Sequence, residues 1–598
     1  MSTTTINSGG IASFSVSVDG STIPDESSVL KVHVEKGINR ISTAIVTILD
    51  GEANTGDFEA SSSATFVPGG AITIEAGYDG TNKVIFKGII TRQSIRIDSL
   101  VGSALEVECR DEAIKMVVGR KSLTYSKKTD SAIISSIIGN YSGLKADVTA
   151  TSEEWPEQVQ YYVRDWDFIL ARAEANGLIV TTLNNTVSVI KPDADTSSIL
   201  TVKYGDGLME FNADLDSISQ LASVQASTWD FKTQAVVSKQ ESNSYKGPGN
   251  LTSKTLSEVV GLSEYDLQTT APLESADLTN WSKAQLVKSD YAKIIGSAKF
   301  QGTDLVDPAK YMTFGGLGDR FNGDYLISNV RHDLSDGNWI TEVSLGLSQH
   351  WFTEEPDVMA PPAAGLLPGA RGLFNGTVKK MYEDPDSQFR ILVNVPLFDQ
   401  NGEGIWARLS NFYSTSGAGA FFMPEVGDEV VLGFLNEDPR FPVILGSMYS
   451  STKIKPFNGL EPNEKNSLKA IVSKSGISVE FDDENKVFTI NTPGKNTVIL
   501  SDKDNQITME DSNKNKIVMS SSGITISSPK DINIEADQKV NITGKMGIAA
   551  KSSGGDVTID GLNIKETAEM EYAAKGNMTA KINAGMELTL QSTMIMIN

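Results

Sequence analysis

The chain has 598 residues, and its 39% hydrophobic and 21% charged content is a globular balance that excludes a largely disordered protein; that length leaves room for about three or four domains. A formal net charge of −24 argues against a nucleic-acid partner or an anionic membrane surface. The one cysteine, Cys109, excludes an intrachain disulfide framework and a cysteine-based zinc site.

No apolar run approaches the ~18 residues of a membrane span. The N-terminus, MSTTTINSGGIASFSV, has neither the basic start nor the apolar stretch of a secretory signal. The expectation is a protein made and folded in the cytoplasm without a signal peptide or an integral membrane segment. Residues 1–120 carry alternating β-branched runs (SFSVSVDG, KVHVEKG, STAIVTILDG, AITIEAGYDG, KVIFKGIITRQSIRI, ALEVECRDEA) broken at Gly and Asp. Such alternation predicts antiparallel strands joined by hairpins, and a small barrel or sandwich as their product. Residues 121–200 change character: DSAIISSIIGNY and RDWDFILARAEANG have helical spacing. In the second, Trp166, Ile169, Leu170 and Ala173 share a face, Asp165 or the turn before it can cap the start, and Gly177 ends it. GLIVTTLNNTVSVIKP then predicts two strands turning at Asn184-Asn185.

Residues 201–350 return to strand patterning around a polar, helix-poor insertion near 235–290. They close on a hairpin, DYLISNVRHDLSDGNWITEVSLGLSQH, that turns at Ser335-Asp336-Gly337-Asn338. The Pro-, Gly- and Ala-rich stretch over 351–370 reads as a linker. Residues 371–455 hold about five short strands, which suits a barrel of the OB type, and 456–470 form a second linker.

Residues 471–598 carry the strongest pattern. ISVEF, VFTIN, TVILS, QITME, KIVMS and ITISS recur every seven to ten residues, and from Ile524 the spacing tightens to eight: Ile524, Ile532, Val540, Ile548. A second series runs Met570, Met578, Met586, Met594, with Leu562 and Ile564 holding a strand between the two and a slip in register around Gly554-Gly555. A short strand and a tight turn repeated without helices predict a β-helix or β-prism. Strands of about four residues cannot bury one face alone. Three chains wound around one axis supply the facing walls, with both series directed at that axis and every strand pairing with other chains, so that no lateral edge stays open. Roughly nine octads at about 4.8 Å per strand make a prism of roughly 40 Å. The competing arrangement is a single-chain parallel β-helix, which needs about 20 or more residues per coil, so that three octads would make one turn. Low-complexity disorder is disfavoured by the sustained alternation.

Several stretches resemble a known family. MPEVGDEVVLGFLNEDPRFPVILGSMYS (423–450) is similar to the OB-domain signature of VgrG-type spikes and contractile phage tail spikes. Pro424, Gly427, Glu429, Val430, Asp438, Pro439, Pro442, Val443 and Gly446 fall in place. SGISVEFDDENKVFTINTPGKNTVILSD resembles the start of that family's needle, and VQYYVRDWDFILARAEANGLIV (159–180) its hub domain. The order hub, OB barrel, needle covers nearly the whole chain. The resemblance implies a mainly β fold: a hub of two β-barrel subdomains with a small α+β insert, an OB-fold barrel, and a C-terminal intertwined trimeric β-helix (β-prism). It also implies that three hubs make a pseudo-sixfold ring matching a hexameric inner tube. The implied role is structural: the central spike of a phage-like, extracellular or type VI contractile injection machine, driven through a target envelope on sheath contraction. The gap between OB barrel and needle is too short for the lysozyme domain of some phage spikes, and the expectation is a needle without the toxin domain that some VgrG proteins carry after it.

A search for chemistry finds little. His33, His332 and His350 have no second histidine at helical spacing, and His332-Asp333 reads as a surface pair. Asp502, Asp504 and Gln506 start like a calcium loop, but Ile507 stands where glycine is required and Asn513 where the bidentate acid belongs. Ser450 and Lys453 make an S-x-x-K in a Ser/Thr stretch, and Asp482-Asp483-Glu484 lie in a hairpin turn without an apolar setting. The expectation is no enzyme, no metal and no cofactor. Met594, Ile595, Met596, Ile597 and Asn598 instead make an apolar platform, of the kind that marks an interface. The resemblance implies a tip cap of the PAAR type seated there. Baseplate and inner tube proteins are the other implied partners, with effector cargo as a further one. Two rivals stay open: a carbohydrate-degrading or receptor-binding tailspike, which needs an acidic or aromatic cleft, and a trimeric adhesin, which needs a signal and an anchor.

Overall fold

The computed structural model describes residues 10–23, 29–98, 102–450, 453–457 and 462–597. The chain divides into two units, Met1–Met448 and Tyr449–Asn598. No helix among the described residues is long and apolar enough to cross a membrane.

The first unit is built on thirteen strands among the described residues, joined in one sheet. The alternating N-terminal runs form Ala12–Val18, Val29–Gly37, Thr43–Leu49, Ala71–Tyr78, Thr81–Asp98 and Gly102–Arg110, all antiparallel to their neighbours. Their inward residues, among them Val32, Val34, Val46, Ile74 and Val107, make one apolar core. A second core gathers Leu200, Phe300, Phe314, Tyr325 and Val343 from the strands after residue 198. The two halves are not separate sheets. Gly323–Ser335 pairs with Val29–Gly37, and Leu334 and Trp339 of the C-terminal hairpin pack into the N-terminal core. That hairpin turns where the sequence places it, with Ser335 opposite Asn338, as does the one at Asn184-Asn185, with Leu183 opposite Thr186.

Helices Asp130–Gly139 and Asp165–Ala175 flank a third core, and Trp166, Ile169, Leu170 and Ala173 are buried in it. The start of the second helix has no side-chain cap. Asp165 instead accepts bonds from Lys121 Nζ (2.6 Å), Tyr141 Oη (2.6 Å) and Gln160 Nε2 (2.7 Å). Asp130 likewise accepts both arms of Arg172 (2.8 Å each), the Asn176 amide and the Trp155 indole, tying the two helices together.

The insertion near 235–290 departs from the helix-poor expectation. It contains Ser253–Val260 and the 17-residue helix Ser275–Tyr291. The second is hard to see in sequence because its buried side includes Ser282, Gln285, Lys288 and Ser289. These polar groups are satisfied one by one: Trp351 Nε1 donates to Gln285 Oε1 (2.8 Å), Lys288 pairs with Glu174, and Ser289 Oγ donates to Ser219 O (2.9 Å). A stripe of polar residues with dedicated partners leaves no apolar period to read.

Further along, Phe374–Lys380, Ile391–Asn394, Ile405–Leu409, Pro442–Ser447 and Glu429–Phe434 close into a five-stranded barrel around Val378, Ile391, Val393, Ala407, Val430, Leu432 and Ile444. Its turns are held by Arg390 on Asp384 (2.6 Å) and Arg440 on Asp438 (2.7 Å), each arginine depressing the carboxylate's pKa.

Candidate trimer interface

The second unit opens with seven five-residue strands in an antiparallel meander from Leu468–Val472 to Gly523–Ser527. Every ladder here is formed within one chain. Over 468–527 this corrects the expectation that every needle strand pairs with other chains: turns of two to five residues fold each strand back on its predecessor.

The register aligns the side chains into two columns on one face. One column runs Lys469, Phe481, Phe488, Leu500, Ile507, Met519, Ile524; the other runs Ile471, Val479, Ile490, Val498, Met509, Ile517, Ile526. Lys469 at the start is the single charged member. The columns are not covered by their own chain: Leu500 is 42% exposed and Ile524 69%, whereas Ser478, Ser501 and Thr508 on the opposite face are buried. A sheet that buries Ser478, Ser501 and Thr508 and leaves Leu500, Met509, Met519 and Ile524 exposed carries its apolar face for something outside the chain.

Past Ser527 the chain pairs with no strand of its own among the described residues. It runs extended with a bend about every eighth residue, near 530, 538, 546, 554, 562, 570, 578 and 586. Two positions in each extended piece recur at the spacing of the bends: Ile532 and Ile534, Val540 and Ile542, Ile548 and Ala550, then Ile564 and Glu566, Tyr572 and Ala574, Ala580 and Ile582, Leu588 and Leu590. Of the residues between them, Asn533, Asn541, Lys565, Lys581 and Thr589 are polar, and Ala549 and Ala573 are small. Seventy residues of backbone without a partner strand cannot be stable alone, because each N–H and C=O needs a bond.

The predicted core residues therefore occupy two different places. Ile524 lies in a column, and Ile532, Val540 and Ile548 follow it at eight-residue spacing in the extended pieces. Met570, Met578 and Met586 sit at the bends, 95–102% exposed in the single chain, and Met594 follows the bend at Thr593. The two series expected in the trimer core thus differ as strand and corner, although an even spacing keeps both on the same alternation. The slip near Gly554 also has a local form. The bend there takes three residues, 553–555, and the next takes Leu562 alone, so Val557 and Ile559 move one place while the bends keep their spacing. At 594–597 the alternation stops: Met594, Ile595, Met596 and Ile597 are 51–89% exposed and apolar on both sides of the chain. Asn598 lies outside the described residues.

The remaining candidates are structural groups. His332 is not a surface residue: it is fully buried, its Nδ1 lies 2.9 Å from Thr341 Oγ1, and burial depresses its pKa well below the usual histidine value. In a strand, Asp333 faces the other way, and there it meets His33 (2.8 Å) and Lys31 (3.2 Å), which hold its pKa at about 2. Sequence adjacency had suggested a pair where the pleat separates the two. Residues 502–505 form a turn in which Asp504 accepts from Ser501 Oγ (2.8 Å), and Ser450 Oγ accepts from the Lys453 backbone (3.2 Å). One buried group escaped the sequence reading. Lys293 donates to the carbonyls of Lys246, Pro248 (2.7 Å) and Leu251 (3.0 Å), beside Asp290, whose carboxyl burial pushes up to about 7. They line or adjoin a cleft of about 770 Å³ walled by Tyr245, Tyr291 and Tyr311. Among the described residues no group of three or more His, Cys, Asp or Glu is placed to hold a metal ion.

Residues 8–336, more than half of the chain, match the Alg8 N-terminal domain. The chain belongs to the Alg8 N-terminal domain family. Residues 374–449, the closed barrel, match the type VI secretion system/phage-baseplate injector OB domain. Residues 487–549, which span most of the meander and the first octads, match the phage baseplate V C-terminal trimerisation domain. Beyond its Alg8-type N-terminal half, the chain thus has the OB barrel and trimerisation segment of a VgrG-type spike. The type VI secretion system spike protein VgrG1a of Pseudomonas aeruginosa is 23% identical over 128 residues, 21% of this chain and 19% of that protein. The actin cross-linking toxin VgrG1 of Vibrio cholerae is 24% identical over 355 residues, 52% of this chain and 30% of that protein. The chain thus spans less than a third of the length of these relatives. The 43 kDa tail protein of prophage MuSo2 from Shewanella oneidensis superposes with a TM-score of 0.43 at 10% identity, over 56% of this chain and 99% of that one.

Proposed function

We propose that the chain is the central spike of a contractile injection machine, a homotrimer whose role is mechanical rather than enzymatic. The observation that carries this reading is the pair of apolar columns on the meander, followed by octads that pair with nothing in their own chain. Burying one such Ile, Leu or Met contributes roughly 1.5–3 kcal/mol, and two more copies bury both columns at once. The same three copies complete the backbone ladder, which is what lets a needle bear load. The match to a trimerisation domain supports the number three.

In this reading the hub joins a hexameric inner tube and baseplate proteins to the needle, and sheath contraction drives the assembly into a target envelope. The platform at 594–597 receives a PAAR-type cap, because apolar side chains point both ways there and an axis can bury only one set. Effector cargo is a further partner of the assembled spike.

Native mass spectrometry of the purified chain tests the core of the reading. The expected mass is three times the 64.3 kDa of one chain, and a monomer would overturn it. Deleting residues 591–598 should leave that mass class intact and abolish capture of a PAAR-type protein. Capture at full strength by the truncated trimer would remove the platform from the proposal.

A further inference from the structure

The stretch 351–370 has the composition of a linker, yet it is bonded at both ends. At its start Trp351 Nε1 donates to Gln285 Oε1 (2.8 Å) and the Phe352 N–H to Glu174 Oε2 (2.7 Å), both on hub helices. Further on, Arg120 donates to the carbonyls of Asp357 (2.9 Å) and Val358 (3.0 Å), and Arg164 to the Asp357 carboxylate (2.8 Å). At its far end the Ala370 N–H donates to Glu437 O (2.7 Å) and Arg371 Nε to Glu437 Oε2 (3.0 Å). Glu437 stands in the turn between the barrel strands Glu429–Phe434 and Pro442–Ser447. Between these grips, Pro361-Pro362 lead into three successive left-handed residues, Ala363 (φ 49°), Ala364 (φ 55°) and Gly365 (φ 75°). Alanine is crowded in that conformation, so it persists only where the surroundings hold it. Ala363 is buried, and the Leu366 N–H closes the turn on its carbonyl (3.0 Å).

We infer that residues 351–371 are a strap that couples the hub to the OB barrel as one stiff body. Its meaning for thrust rests on the spike reading above; the coupling itself lies within one chain. Arg120 holds strap backbone, not side chains, through charge-assisted bonds, and so fixes where the chain leaves the hub. The two prolines restrict φ, and the left-handed turn takes up chain that would otherwise be slack. A connection gripped at both ends passes force on at once, whereas a free linker extends first. The hub and the barrel then advance together when the sheath contracts, and the needle, which follows the barrel in sequence, receives the thrust.

The full-length chain provides the test, with each labelled copy diluted among unlabelled ones. Its one native thiol, Cys109, is buried, so introduced thiols can be labelled selectively. Spin labels on Lys254→Cys in the hub and Glu403→Cys in the barrel, both exposed positions, should give a distance distribution as narrow as that of a pair within the hub, Lys254→Cys with Lys87→Cys. Pro361→Gly, Pro362→Gly and Arg371→Ala together add slack and release the barrel end. They should broaden the hub–barrel distribution at least about twofold and leave the hub pair unchanged. Arg120→Ala should speed amide hydrogen exchange over 351–358 at least about tenfold and leave 366–371 as it was. Ala364→Gly relieves the crowded turn and should keep the distribution narrow. A parent chain whose hub–barrel distribution is broader than its hub pair, or a slack variant that leaves it unchanged, would overturn the strap. So would exchange over 351–358 in the parent chain at the rate of an unstructured peptide. A monomeric native mass would instead remove the spike reading and leave the strap in place.

Discussion

The hub and the needle solve the same problem in opposite ways. In the hub, Val32, Val46, Phe300 and Trp339 are at most 1% exposed, sealed by strands of their own chain. In the needle, Val540 and Ile548 are 50% and 63% exposed, although they alternate as regularly as any hub strand. Alternation therefore identifies an apolar face in both regions but does not say which chain will cover it. Hub stability is a property of one chain; needle stability depends on chain concentration, since assembly is what buries its face.

The largest expected effect comes from attacking the face that has no cover of its own. Val540→Asp combined with Ile548→Asp should place six carboxylates in the needle core and abolish the trimer, seen as a native mass that falls to one chain. The hub should be untouched, with an unchanged melting transition. A trimer that survives this double substitution would erase the contrast.

A smaller effect should follow from a matching injury to the hub. Trp339 packs against Gly302, where even an added Cβ would lie 2.1 Å from the indole, and it stacks on Tyr78 at 5.6 Å. Trp339→Ala should cost the hub about 3–5 kcal/mol, read as a lower denaturant midpoint, with the trimer mass retained. Loss of the trimer in this variant would mean that needle assembly depends on hub integrity.

The smallest effect is a pH slope confined to the hub. The Asp290 carboxyl is raised by burial to about 7, so it favours the folded state below the unfolded value and loses that contribution as pH rises through 7. Lys293 is lowered to about 8, again chiefly by burial, so below pH 7 it is charged in both states and adds no slope. Between pH 5 and 7 the hub midpoint should therefore fall, by up to about 1.4 kcal/mol per pH unit, and Asp290→Asn should flatten the trend. A slope that persists in that variant belongs to another group.

Much of this was legible in the sequence. The hairpins at Ser335-Asn338 and Asn184-Asn185, the helix carrying Trp166 and Ile169, and the five-stranded barrel follow from period, turn chemistry and length. The helix Ser275–Tyr291 did not, because its buried side is held by individual polar bonds rather than by an apolar stripe. In the needle the octad was visible, but its phase was not. Met578 and Ile532 belong to different positions of the repeat, and only the bends distinguish corner from strand. His332 shows the same limit at one residue, since its environment depends on a strand that lies about three hundred positions earlier in the chain.

That pairing has a consequence for how the protein is made. The strand Val29–Gly37 finds its partner in Gly323–Ser335, and His33 meets Asp333 across 300 residues. At a synthesis rate of about 5–20 residues per second, the first half of the sheet waits roughly 15–60 s on the ribosome with one long edge open. Through that interval the Val32 and Val34 side of the growing chain is the stretch most in need of a chaperone, well before any needle residue has been synthesised.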